Sequence, residues 1–394
     1  MFFCDPPGHS GPEHVFNFGR DDIVENSYVF FHDQEPVELD LFSKLFMEVI
    51  ARNMDLLEIH DFLRGPSAIN WSNPDDLKHF SQYIRSTNQK SMMYSYFSAN
   101  RDRLHRFIKS NLSLFKGDVV VSERGENVKA LSDNYGWNSH YYFYHGWACL
   151  DWFRGYDRTF LIPRATNRTP THTFMSPNRI IAGRRDHRVL FLYHLLKHGL
   201  QNNYISAPRT CPVEDIDIIT VANKYYSTYT DIKQVLDRAE LPRTFTGEDT
   251  QQMTSCWLSN FAEAQDSLVY VPTETVFFGR RTHITEKTFK AIALEMPFVL
   301  IATAGSLEYL REYGFQTFNG ILDESYDTEL DDLRRVERVV QLLKDLDNLS
   351  VRERQQIHRA CLPIVEHNYN HFYRGGLTDV LWTELTTMLN GLRI

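Results

Sequence analysis

The densest chemistry lies in Thr273-Glu-Thr-Val-Phe-Phe-Gly-Arg-Arg-Thr-His-Ile-Thr-Glu-Lys-Thr-Phe-Lys290. Thr285 is an N-cap type of residue, so a helix is expected to begin just after it. A helix start offers free backbone N–H groups and a partial positive charge, which suit a phosphate. Lys287 and Lys290 fall on or beside the first turn, and Arg280 and Arg281 come just before it. A diphosphate placed there meets several cations. Glu286 is the odd member, and a carboxylate at such a place suits hydrogen bonds to ribose or sugar hydroxyls. The plainer alternative is an ordinary helix N-terminus, where Glu is common.

Three further clusters could do chemistry. Arg184-Arg185-Asp186-His187-Arg188 opens an expected helix after a strand, and its alternative is a solvated charged turn. His32-Asp33-Gln34-Glu35-Pro36 follows the apolar run Ser27-Tyr-Val-Phe-Phe31. That is the carboxyl end of an expected parallel strand, where open α/β sheets place ligands. Its alternative is turn chemistry, since Asp and Pro are turn residues. Ser139-His-Tyr-Tyr-Phe-Tyr-His-Gly-Trp-Ala-Cys-Leu-Asp-Trp-Phe-Arg154 brings His145, Asp151 and Arg154 together with rings that could stack on a sugar, or else forms a core helix. Ser122-Glu123, after a second strand signal, is a weaker candidate of the same kind.

These residues need elements to position them. Ser27–Phe31 and Asp118–Ser122 read as buried strands, with helical patterns over Leu39–Asn53 and Leu77–Leu114 between them. Continuous apolar strands separated by helices point to a parallel α/β sheet. An irregular segment over about 156–170 reads as an interdomain linker. Alternation then resumes. Strands are expected at Thr171–Ser176, Asp217–Val221, Leu268–Val271 and Pro297–Ala302. Helices are expected at Arg188–His198, Glu286–Leu294, Ser306–Tyr313, Glu329–Leu346, Val351–His367 and Leu377–Leu392. Gly199 and Gly314 close two of them. The reading is therefore an α/β protein with domains at 1–160 and 171–374 and a last helix within 375–394.

Thr285-Glu286-Lys287 opening a helix, with Glu274 upstream and Pro297-Phe-Val-Leu-Ile301 downstream, resembles the donor-binding motif of the α1,3-fucosyltransferases. It is still more similar to a fucosyltransferase-like group found in phages and bacteria, whose motif runs Thr-Glu-Lys-Thr-Phe-Lys before a Pro-Phe strand. The continuation Gly305-Ser-Leu-Glu-Tyr-Leu-Arg-Glu-Tyr-Gly-Phe-Gln-Thr-Phe318 and Asp323-Glu-Ser-Tyr-Asp327 is similar to that group as well. The likeness is good over about 171–370 and looser over 27–160. Glu274 and Glu286 stand slightly farther apart than in the fucosyltransferases. The family's intervening asparagine and tyrosine are absent, with His283 in the tyrosine's place.

The resemblance implies a GT-B fold: two Rossmann-like domains with a cleft between them and a C-terminal helix crossing back. The N-terminal domain would take the acceptor and the C-terminal one the nucleotide sugar. It implies a metal-independent glycosyltransferase that moves a sugar, with inversion, from a nucleotide-sugar donor to a glycan or other acceptor hydroxyl. On that pattern Arg188, with Arg185 behind it, would reach the donor diphosphate, where the planar guanidinium grips two oxygens. Glu274, Arg281, His283, Thr285, Glu286 and Lys287 would complete the donor site. Glu35 before Pro36 resembles the family's Glu-Ser-Pro segment and would take the acceptor proton, with Asp33 as second candidate. His32, His145, Asp151 and Arg154 would line the acceptor or sugar pocket. A phage enzyme glycosylating a hydroxymethylated DNA base is an alternative, with Arg101, Arg103, Arg106 and Lys109 as the start of a groove. A non-catalytic sugar- or nucleotide-binding module is another.

Bulk properties narrow the classes. At 394 residues, two domains are the natural count. A net charge of -9 argues against a grip on nucleic acid through global charge. Cys4, Cys149, Cys211, Cys256 and Cys361 are scattered, odd in number and without a C-x-x-C pair, which fits a reducing compartment. No apolar run approaches ~20 residues, so no membrane span is expected. The N-terminus lacks the features of a signal peptide. A cytoplasmic location is expected, the host's cytoplasm if the source is viral. No cofactor beyond the nucleotide sugar is implied. Asp215-Ile-Asp217 and Asp345-Leu-Asp347 match a metal-binding Asp-x-Asp, but so short a motif arises often by chance. His194 and His198 are i, i+4 on a helix with no evident third ligand. No P-loop and no Gly-x-Gly-x-x-Gly occurs.

Overall fold

The computed structural model describes residues 27–30, 118–121, 124–125, 138–153, 167–212, 214–245 and 258–391. The chain divides into two compact units, 1–142 with 388–394, and 143–387. In the first, β1 (Ser27–Phe30), β2 (Asp118–Val121) and β3 (Asn138–Tyr141) form a parallel sheet in that order. Ser27 pairs with Asp118, and Asp118 with Asn138. Both strands expected in this half are thus present and parallel. The third strand lacks the apolar run of the other two, because its sequence is Asn-Ser-His-Tyr. The two helical patterns before β2 lie outside the described residues.

The second unit is a mixed α/β assembly. In chain order it holds α1 (Tyr144–Phe153), β4 (His172–Ser176), α2 (His187–Lys197), β5 (Tyr204–Ile205), α3 (Ile218–Ala222), α4 (Ile232–Asp237), α5 (Phe261–Asp266) and β6 (Ser267–Tyr270). Then come α6 (Glu286–Ala293), α7 (Ser306–Glu312), α8 (Asp332–Asp347), α9 (Val351–Tyr373) and α10 (Gly376–Gly391), the last of which belongs to the first unit from residue 388 on. The sheet order is β5-β4-β6, all parallel. The chain at 297–301 extends it on the far side, bridging Tyr270 to Phe298 and Thr273 to Ile301 in parallel. Strand interiors are buried on both faces, as in Leu268, Val269 and Phe174. That is why β6 reads as a continuous apolar run rather than an alternation.

Helix boundaries follow cap chemistry. α2 stops where Gly199 takes φ +77, a conformation that costs glycine little. α8 begins after Asp331, whose carboxylate accepts the Arg334 N–H at 3.0 Å. It starts three residues later than the periodicity suggests, because Ser325–Thr328 forms a 3-10 turn first. α9 opens with a complete capping box between Ser350 and Glu353.

One element overturns its expectation. Asp217–Val221 reads as a strand, but Ile218–Ala222 is helical. Asp217 accepts the Ile219 N–H at 2.8 Å and so caps the helix. A short apolar run does not separate the two periods, and here the cap decides. Both Asp-x-Asp pairs have structural partners. Asp217 also receives Arg209 at 2.8 Å, and Asp347 accepts from Thr173 and Asn203. Among the described residues, no helix is long and apolar enough to cross a membrane.

Candidate functional site

The strand order creates a switch. From β4 the chain passes through α2 to β5 on one side, and from β6 through α6 to 297–301 on the other. Ligands in open α/β sheets bind outside the carboxyl ends of strands at such a point. Here the two carboxyl ends are tied together. Ser176 Oγ donates to the Val271 carbonyl at 3.1 Å, and Asn178 Nδ2 donates to Ser176 Oγ at 3.1 Å. Thr273 Oγ1 donates to Asn178 Oδ1 at 2.6 Å. These polar groups are buried and paired, as buried polar groups must be.

Two helix starts flank this floor. At the start of α2, Arg188 is tied to backbone at both terminal nitrogens. Its terminal nitrogens donate to the Ile180 and Thr273 carbonyls, both at 2.8 Å. Its Nε–H meets no acceptor among the described residues. Burial pulls its pKa down to about 9, and the neighbouring Arg185 pulls the same way, against Glu274 and Glu286. His187 Nε2 bonds the Glu274 carbonyl at 3.1 Å, and its ring stacks on Phe277 at 4.7 Å. Asp186 takes Lys224 at 2.5 Å, and that ammonium also lies 4.6 Å from the Phe278 ring centre.

At the start of α6, Thr285 is the N-cap, as expected. Glu274 is completely buried. Its Oε1 accepts the Thr285 N–H at 3.1 Å and the Thr288 hydroxyl at 2.6 Å, and its Oε2 accepts the Thr285 hydroxyl at 2.6 Å. Lys287 Nζ donates to Thr285 Oγ1 at 3.1 Å and to Glu286 Oε1 at 2.7 Å. Burial alone would raise the Glu286 carboxyl, but Lys287, Lys290 and His145 outweigh it and hold the pKa at about 2. Glu286 is therefore an anion at neutral pH. His283 is buried and meets His145 edge-on at 4.7 Å.

The Thr273-Glu274 dipeptide links the two helix starts, since Arg188 bonds the first carbonyl and Glu274 caps α6. Arg188 feels the charges of Arg185, Glu274 and Glu286, and Glu286 feels Lys287, Lys290 and His145. Arg281 is buried in the segment leading into α6, where its carbonyl accepts the Thr303 hydroxyl at 3.1 Å. His32, Asp33, Glu35 and Arg154 lie outside the described residues, as does Ser122-Glu123. Asp151 sits in α1, with its side chain likewise outside.

Several contributors escaped the sequence reading. Arg335 on α8 is buried and donates to the carbonyls of Ala302, Glu329 and Phe277, and its guanidinium lies over the Phe277 ring at 4.5 Å. It fixes the segment between β6 and α6 from below. Asn178, Thr273, Thr288 and Lys224 were also missed, since no motif marks a lone threonine or asparagine. A cleft of about 280 Å³ opens beside that segment, lined by Gly279, Arg280, Thr282, Ala304, Leu330 and Arg335. No protein-family model matches the chain, and comparisons with curated proteins and with solved structures find no match either.

Proposed function

We propose that the chain is a glycosyltransferase of GT-B type that moves a sugar from a nucleotide-sugar donor to an acceptor hydroxyl. The donor's diphosphate binds at the start of α6, facing the basic start of α2. The supporting observation is geometric: Arg188 donates to the Thr273 carbonyl while the adjoining Glu274 accepts the Thr285 N–H, so the start of α2, with Arg185 and Arg188, lies beside the start of α6, with Lys287 and Lys290. Positive charge held there offsets the charge that grows on a departing nucleoside diphosphate, which is the task a metal performs in other transferases. Glu286, held ionised by its lysine neighbours, accepts hydrogen bonds from ribose or sugar hydroxyls. The acceptor proton goes to Glu35, or to Asp33. That part rests on the sequence resemblance alone.

The test is calorimetric titration of the whole chain with a panel of nucleotide sugars, followed by a transfer assay in excess EDTA. Lys287→Ala is expected to weaken donor binding by about 1–3 kcal/mol, the range for a charge-assisted contact. Unchanged affinity removes Lys287 from the site. Binding without transfer to any hydroxyl acceptor favours the non-catalytic module, and salt-dependent retention on DNA favours the base-modifying enzyme.

A further inference from the structure

The first turn of α6 already carries one carboxylate, Glu286, so the group that caps it decides whether a second is added. In an ordinary capping box the side chain at the third helical position is Glu, and it reaches back to the N-cap N–H. That places a negative charge on the first turn. In α6 the third helical position is Thr288, and the N-cap N–H of Thr285 is taken by Glu274, eleven residues upstream. The same carboxylate receives the hydroxyls of Thr285 and Thr288. The cap therefore comes from the sheet side. The Glu274 and Thr288 side chains are fully buried, out of a ligand's reach. The dipeptide that carries this carboxylate is itself pinned at both carbonyls, Thr273 by Arg188 and Glu274 by His187. One dipeptide thus links the two basic helix starts.

We propose that Glu274 and Thr288 are positioning residues for the diphosphate site, holding the first turn of α6 in register with the start of α2 without touching the ligand. This rests on the reading of α6 as the donor site and adds the means by which that site is kept preorganised. Donors aimed in advance bind a developing or resident anion without reorganising. Losing the clamp lets the first turn fray, so every phosphate ligand loses affinity alike.

The experiment uses the full chain with Glu274→Gln, Thr288→Val and Thr288→Ser. The probes are inorganic pyrophosphate and the tightest binder among UDP, GDP and ADP. Thr288→Val is expected to weaken both probes by the same factor, about five- to tenfold, for one lost hydrogen bond to a charged group. Thr288→Ser keeps the hydroxyl and stays within about twofold of the parent. In the unliganded protein, amide exchange at Lys287 and Thr288 speeds up in Thr288→Val and Glu274→Gln and not in Thr288→Ser. The proposal is overturned if Glu274→Gln weakens the nucleoside diphosphate and spares pyrophosphate, which marks a direct contact with ribose. It is equally overturned if exchange is unchanged, if Ser fails to rescue, or if the parent binds no pyrophosphate. A chain that passes these tests yet transfers no sugar keeps the clamp and loses the transferase reading.

Discussion

Arg188 illustrates what single residues can and cannot announce. Its type and place after a strand suggested a phosphate ligand, yet two of its three nitrogens hold the carbonyls of Ile180 and Thr273. Its hydrogen bonds serve the backbone. Lysine offers one point charge on a flexible stem and does not span two carbonyls as a planar fork does. Arg188→Met is therefore expected to lower stability by about 2–4 kcal/mol, since a buried and a half-buried carbonyl lose their donors. Arg188→Lys should recover only part of that. Urea unfolding followed by fluorescence measures both, and a Met variant within about 0.5 kcal/mol of the parent defeats the bracing role. The Thr285 cap is legible in the sequence because it depends on neighbours along the chain. Glu274 was named for the right region, but its partners are threonines that no spacing rule reveals. Arg335 was illegible, because its acceptors lie up to 58 residues away.

At the scale of elements, capped segments were legible and short apolar runs were not. β4, β6, α2, α6 and α7 fall within a residue or two of their expected places, since periodicity and glycine stops agree there. The helix α3 was missed because Ile-Ile-Thr-Val looks like a strand until Asp217 is seen as its cap. α9 outran its expected end, continuing to Tyr373 rather than stopping at His367. Its last turns find side-chain partners before the cap at Arg374 and Gly375, where Gly375 takes φ +95. His367 and His371 bond the carbonyls of Gly314 and Tyr313, at the end of α7. The start of α9 is held by its capping box, on an exposed face, and by Arg354, which donates to the carbonyls of Asp347, Leu349 and Thr171. Ser350→Ala is thus expected to cost about 0.5–2 kcal/mol. Nucleotide binding should not change, because the box lies at the opposite end of α9 from Phe372, whose ring meets Phe289 of α6 at 5.5 Å. A variant as stable as the parent in denaturant titration denies the box its role, and a loss of nucleotide affinity denies its independence.

For the 143–387 unit as a whole, buried titratable groups away from the site set the response to pH. His194 is buried in α2, where loss of hydration, then His198 and Lys197, hold its pKa at about 4 despite Asp231. His358 in α9 is likewise held at about 4 by burial, then by Arg168 and Arg359. Both stay neutral in the folded protein between about pH 6.5 and 4, while the unfolded chain takes up protons there. The unfolded state then binds more protons, so stability falls as pH falls through that window. The loss is at most about 3 kcal/mol for each histidine. Asp327 acts the other way. Burial lifts its carboxyl to about 6, in spite of the Leu307 N–H it accepts and the nearby Arg311. The folded state gains a proton first, so Asp327 adds stability as pH falls from about 6 to 4, by at most about 3 kcal/mol. Two histidines outweigh one aspartate, so these three groups together weaken the 143–387 unit on the acid side. Urea midpoints at pH 7, 6, 5 and 4.5 should decline steadily. His358→Asn should flatten that decline. Asp327→Asn should steepen it, while raising the midpoint at pH 7, where the parent holds a buried anion. A parent midpoint that is level from pH 7 to 4.5, or variants that shift the curve without changing its slope, would contradict this assignment.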